Sequence, residues 1–308
     1  MVTHLRAPAF AAARAFIVEQ ARPLDQARFR FLFESGPADG VLRELAAFQN
    51  DDGGFGQALE PDVRSPVSTP VATQHALALF RELGTAPEHP MVMRAVAYLV
   101  GSYDPHRQLW EIVPPQIEAE PHAPWWTYAA IMETFHGCGL NPTAGLLGAL
   151  HDYPTLTDQE LRDELTRAVL QRLAERRGAL ESDELRNVIW LAECERLEPM
   201  PREKLRDHVA ASLAAVELDP ARWAEYRLQP LEVAPSPSSF LASVLDPAAV
   251  HSNLDYWVGL QQADGGWPLT WTWADVDAQA WASAEREWRG QITVERLATL
   301  RAYDRLEP

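Results

Sequence analysis

The sequence predicts an all-α protein assembled from repeated helical hairpins, and three observations carry that expectation. The stretch Gln49-Asn50-Asp51-Asp52-Gly53-Gly54-Phe55 returns near the other end as Gln261-Gln262-Ala263-Asp264-Gly265-Gly266-Trp267. Both read Gln-x-x-Asp-Gly-Gly-aromatic, and the same pattern at both ends of a chain marks an internal repeat. Between and around the two copies, about a dozen segments carry helical apolar spacing bounded by caps, prolines and glycines. No segment reads as a strand.

Each residue of the repeated motif has a local task. The glutamine closes a helix and reaches backbone groups with an amide donor and an acceptor. The glycine pair supplies an open or left-handed backbone where a Cβ would clash. Aspartate before glycine favours a turn, because its carboxylate bonds nearby N–H groups. The aromatic folds back over the helix end and buries a large apolar surface.

Taken in order, residues 7–22 read as a helix stopped by Pro23, and residues 24–34 as a second one ended by Ser35-Gly36-Pro37. Residues 39–49 lead into the first Gly-Gly turn with Leu42, Leu45, Ala46 and Phe48 on one face. Ser68 or Thr69 caps the next helix, with Pro70 in its first turn and Gly84 at its end. Another helix over 90–101 is followed by Ser102-Tyr103-Asp104-Pro105, in the place of a Gly-Gly turn, and by an acidic, proline-rich loop over 107–124. Further helices are expected over 125–139, from Asn141-Pro142, from the capping box Thr157-Asp158-Gln159-Glu160 to about Arg176, and over 182–197 and 201–216. After a proline-rich loop over 222–239, a short helix runs to Val244. Asp246-Pro247 then opens the helix before the second turn, and 290–305 is the last helix. Residues 1–308 read as a single domain, because repeated hairpins share one continuous core. The short-looped, charged region 140–216 is an insertion or a set of degenerate repeats.

Composition narrows the function. A net charge of −17 argues against nucleic acid and anionic membrane surfaces as partners. Lys204 is the sole lysine, which argues against Schiff-base chemistry. Cys138 and Cys194 have no paired spacing and suit buried thiols in a reducing compartment. No run of ~18 apolar residues is present, and the N-terminal segment lacks a signal-peptide layout. The expectation is a cytoplasmic protein without a transmembrane segment.

The Gln…Gly-aromatic turns over segments 42–84 and 254–303 resemble the repeat of the terpenoid cyclase and protein prenyltransferase superfamily. That resemblance implies an α/α toroid, with loop residues collected at one rim of a central cavity. It also implies an apolar isoprenoid as substrate and, for its class II cyclases, protonation of an alkene by the central acid of an Asp-x-Asp-Asp string. Asp275-x-Asp277 matches the first two acids of that string, and Ala278 replaces the last. The superfamily's prenyltransferases hold zinc with Asp, Cys and His. Here His136 and Cys138 are the sole close pair, and two-residue spacing puts them on different helix faces, so no metal and no cofactor are expected.

Three groups are candidates for chemistry. Glu60-Pro61-Asp62-Val63-Arg64 places two carboxylates in a stiff loop with a cation beside them, and His75 lies about two turns into the next helix. One acid is a candidate proton donor in a dry pocket, with Arg64 as a binding group; the plainer reading is a loop salt bridge and a core histidine. Asp275 and Asp277 form the second pair, read otherwise as solvated acids at a helix N-terminus. Trp125, Trp126, Tyr128, Trp271, Trp273, Trp281 and Trp288 are candidate cavity walls, since Trp faces stabilise a cation by ~0.5–2 kcal/mol each; the alternative is packing between helices. The leading expectation is a cyclase-like enzyme acting on an apolar isoprenoid by acid-initiated chemistry. The alternatives are a toroid that cuts or binds carbohydrate with paired carboxylates, and a non-catalytic binding or scaffold protein.

Overall fold

A computed structural model describes residues 3–135 and 139–307. Among them are thirteen α-helices and no strand, only isolated bridges. The helices are α1 (Ala7–Gln20), α2 (Pro23–Phe33), α3 (Ala38–Leu45), α4 (Pro70–Leu83), α5 (Pro90–Ser102), α6 (Tyr128–Phe135), α7 (Leu140–Asp152), α8 (Gln159–Glu175), α9 (Ser182–Ala192), α10 (Pro199–Ala211), α11 (Pro230–Val233), α12 (Pro247–Gly259) and α13 (Ala278–Ala302). They fall into two compact units, Met1–Leu45 with Val216–Pro308, and Ala46–Ala215.

In the first unit α13 packs along α1 and α2. Phe16 and Ile17, Leu24 and Phe29, and Val294, Leu297 and Leu300 fill the space between them. The last helix starts twelve residues before the expected Gly290. Asp277 caps it, accepting from the N–H groups of Gln279 and Ala280 at 3.0 and 2.9 Å. Gly290 does not break this helix; it is the point of closest approach, where a Cβ would sit 2.7 Å from that of Ala21. The two ends of the described chain pair here: Leu5 N–H donates to Arg305 O and Glu307 N–H to Leu5 O, at 2.7 and 2.9 Å.

In the second unit α7 packs against α4, α8 and α9. Gln74, Asn187 and Asn141 link α4, α9 and α7 through side-chain amides. Two expectations need correction here. Trp125 and Trp126 belong to a 3-10 turn (Pro124–Trp126), and the helix begins only at Tyr128. The Thr157 capping box does not form; the threonine hydroxyl instead accepts from Arg162 at 2.7 Å, and a charged donor outcompetes a backbone N–H for it.

The repeated turns have the same geometry in each unit. Gly53 and Gly265 have φ of 92° and 93°, the left-handed region that glycine adopts without penalty. The Asp52 and Asp264 carboxylates accept from Gly54 and Gly266 N–H, both at 3.0 Å. Gln49 Nε2 donates to Gly53 O and across to Met91 O of α5 at 2.9 and 3.0 Å. Gln261 Nε2 donates to Gly265 O and across to Ala9 O of α1 at 2.8 and 2.9 Å. Three residues further along each receiving helix, at Arg94 and at Ala12, a carbonyl oxygen packs against the positive-φ glycine, leaving no room for a Cβ. The aromatic N–H then finds a buried threonine hydroxyl in the following helix: Phe55 to Thr73 at 3.0 Å, Trp267 to Thr293 at 3.2 Å. Trp110 repeats this with Thr143 at 3.2 Å, so the segment after α5, which lacks the Gly-Gly pair, keeps the final link of the device.

Substituting alanine at Gly53 or Gly265 combines strained φ with a backbone collision, so each variant should lose about 2 kcal/mol or more. Urea denaturation of the two variants checks this, with equal midpoints for wild type and both variants as the contrary result. Thr73→Val and Thr293→Val keep the shape but strand a buried N–H, and each should cost ~1–3 kcal/mol in the same assay.

Candidate functional site

The site is built by the loop between the first turn and α4. Gln57 and Ala58 take positive φ of 55° and 60°. Two successive left-handed residues without a glycine are uncommon, and strain of that kind accumulates where a chain positions a functional side chain. After one intervening residue, Leu59, comes Glu60, 3 % exposed, and two positions later Asp62, also 3 % exposed. Pro61 separates them in a tight turn closed by Val63 N–H to Glu60 O at 3.0 Å.

Thr69 caps α4 by accepting from Ala72 N–H at 3.0 Å, which sets the start and rotation of the helix. That rotation turns His75 toward the loop, and its Nε2 lies 3.0 Å from Glu60 Oε2. The other carboxylate oxygen, Oε1, accepts from Asp62 N–H at 3.3 Å. The glutamate is thus held at one oxygen by its own loop and meets the imidazole with the other. The His75 side chain keeps a quarter of its surface in solvent, while Glu60 lies behind it. The pair has the layout of a proton path, with one member able to exchange with water and one buried.

The far wall comes from the proline-rich loop. Val63 faces His122 in an antiparallel bridge, with Ala123 N–H donating to Asp62 O and Arg64 N–H to Pro121 O, at 2.9 and 3.0 Å. In such a pair both side chains project to the same side. Val63 joins Val71, Ile112, Val113, Ile117 and Ile131 in an apolar cluster, with Val67 and Trp126 packed against it. His122 carries a second acid–imidazole contact, Nε2 to Glu118 Oε1 at 3.8 Å, and Glu118 Oε1 also accepts from Tyr128 N–H at 2.5 Å. Sequence reasoning missed His122 and Glu118. A Glu-x-x-x-His spacing in an acidic loop carries no signal until the bridge to Val63 pairs it with the loop that carries Glu60.

The other predicted residues occupy varied surroundings. Arg64 stays on its loop, donating to Pro61 O at 3.2 Å. Trp125 is 44 % exposed, and Tyr128 and Trp126 are partly buried. Asp275 is exposed, and Asp277 serves as the cap of α13. Trp271 stands edge-on to Trp288 at 5.5 Å and to Tyr226 at 5.8 Å; Trp273, 1 % exposed, stands edge-on to Trp281 at 5.8 Å. These Trp pairs fill space in the first unit, whereas Trp125, Trp126 and Tyr128 belong to the second. His136 and Cys138 lie outside the described residues. Among the described residues no three His, Cys, Asp or Glu side chains gather as a metal site. No helix among them is long and apolar enough to cross a membrane.

Two buried titratable groups sit deeper in this unit. Cys194 is fully buried and unpaired with another cysteine; burial, reinforced by Asp152, pushes its thiol up to about 11, which leaves it unreactive. His151 is buried with Nε2 3.0 Å from Thr166 Oγ1; burial, with help from the Arg162 cation, pushes its pKa down to about 4.

Compared with known proteins, the sequence matches no protein-family model and no curated protein.

His151 makes stability depend on pH with a definite sign. Its folded pKa of about 4 lies below the unfolded value near 6.5. The unfolded chain therefore takes up the proton first as pH falls. The contribution of the neutral, buried imidazole is complete above pH ~6.5 and is lost progressively down to pH ~4, at no more than ~1.4 kcal/mol per pH unit. Urea midpoints at pH 7.0 and 4.5 for wild type and His151→Gln isolate this term: the variant should show the shallower decline, and parallel declines would assign the acid sensitivity to carboxylates alone.

Proposed function

We propose that the chain is a terpenoid-cyclase-like enzyme of α/α toroid architecture that starts a carbocation reaction on an apolar isoprenoid by proton transfer from Glu60. One observation carries the reading: the 3.0 Å contact between buried Glu60, on the loop that follows the Gly-Gly turn, and partly exposed His75 of α4. Its chemistry is simple. A carboxyl placed out of bulk water can hand a proton to an alkene without competition from solvent. His75, open to water, returns the proton to Glu60 after each turnover. The same loop carries Val63, whose apolar cluster with Trp126 packed against it is the wall we propose for an apolar substrate.

The toroid itself is part of the proposal. It is supported by the duplicated turns, each clamped to a following or preceding helix in the same way, and by the pairing of Leu5 with Leu306. A carbohydrate-cleaving alternative calls for two carboxylates flanking an open groove. Both acids of this loop are buried, which favours the cyclase reading over that one. A reducing cytoplasm is the compartment we propose, with the reduced Cys194 thiol as its support.

Incubation with linear isoprenoids in D2O tests the assignment, because acid initiation writes one deuteron into the product. Glu60→Gln should lower turnover by about 100-fold or more with little change in melting temperature. His75→Gln should slow turnover and shift its pH profile. Undiminished turnover in Glu60→Gln removes the acid from the mechanism, and collapse of that variant's stability assigns Glu60 to the loop instead.

A further inference from the structure

In the first unit, Arg296 of α13 is a buried cation without an ion pair among the described residues. It is 8 % exposed, and its Nη1 is sealed from solvent with no hydrogen-bond partner. Its guanidinium lies over the ring of Trp257, with Cζ 4.8 Å from the centroid. That indole is itself fixed by Nε1 donating to Gln229 Oε1 at 2.8 Å, and the same oxygen accepts from Asn253 Nδ2 at 2.9 Å. The carboxylates whose charge reaches Arg296 have other tasks. Glu232 accepts from Gln229 N–H at 2.7 Å at the start of α11, and Glu295 pairs with Arg28 at 3.2 Å.

A Trp face offsets part of a buried charge but supplies no acceptor for in-plane N–H groups. Burying a guanidinium with an unmet donor is strongly unfavourable, and folded proteins rarely keep such a group without a partner. Burial lowers its pKa to about 10, so the group stays charged at neutral pH. The planar fork of arginine matches the oxygens of a carboxylate or phosphate. Glu232 is exposed and Tyr256 partly so, and both act electrostatically on Arg296, which places the guanidinium close beneath the surface.

We propose that Arg296, held flat by Trp257, is the anchor of an oxyanion-binding site that takes a phosphate or a carboxylate. The site is independent of the reading of Glu60, because it stands on a different unit and on a different observation.

Calorimetric titration of the full chain with sodium phosphate and, separately, sodium acetate, each against sodium chloride at matched ionic strength, tests the proposal. Saturable binding of one ion per chain is expected, and the arm in which it appears separates a phosphate from a carboxylate ligand. Arg296→Lys keeps the charge but loses the fork, and should bind at least tenfold more weakly. Arg296→Met should show no binding and no anion-dependent rise in melting temperature. If Arg296→Met does not fold, the lysine variant and wild type still decide the matter. Failure of both anions to bind wild type more than chloride does, or unchanged affinity in Arg296→Lys, overturns the site.

Discussion

Each Gly-Gly turn depends on one divided hydrogen-bond donor, the side-chain amide nitrogen of a glutamine. Gln49 Nε2 gives one N–H to Gly53 O in its own turn and the other to Met91 O on another helix. Gln261 does the same with Gly265 O and Ala9 O. An amide nitrogen has two donors at a fixed angle, so satisfying both fixes the turn and the partner helix together. The consequence spreads outward. The helix approaches closely enough that the next residue of the turn must be glycine, and the aromatic that follows is delivered to a threonine hydroxyl in the next helix. Local turn chemistry thereby becomes tertiary packing.

The same device sets up the candidate site. Phe55 is tied to Thr73, two residues before His75, while Thr69 caps the helix that both occupy. The loop between Phe55 and Thr69 has both ends pinned, and its interior follows a path that includes two left-handed residues. Glu60 then reaches His75 from that path. Local strain at Gln57 and Ala58 is tolerated because the ends of the loop are held by buried hydrogen bonds. The acid–imidazole contact is a product of the repeat and not an addition to it.

Burial divides the charged groups by what surrounds them. Glu60 has an imidazole and an amide; Asp25 has Arg22 at 2.8 Å. Cys194 and His151 are carried in neutral form, which a low-dielectric interior favours. Arg296 stays charged at pH 7 and makes no ion pair among the described residues; Glu232 and Glu295 reach it only through their charge. Its direct contact is the face of Trp257, and that sets it apart from the buried ionisable groups with a close polar partner.

Much of the helical order was legible in the residues themselves. Pro23, Pro70, Pro90 and Pro247 each open a helix, Gly84 closes one, and the two Gln-x-x-Asp-Gly-Gly-aromatic strings announce matching turns, because caps and turns are decided by residues close in the chain. The proximity of Glu60, Asp62 and His75 could be argued from the same stretch for that reason. Other features required contacts between distant segments. Gly290 reads as the start of the last helix, yet it sits inside α13, where its missing Cβ admits Ala21. Thr157 reads as a cap, yet Arg162 claims its hydroxyl. His122 is joined to the Glu60 loop by a backbone bridge to Val63, and Trp257 meets Arg296 across two helices. Short-range hydrogen bonding is written in sequence spacing; which side chains share a buried space is decided only when helices far apart in the chain pack together.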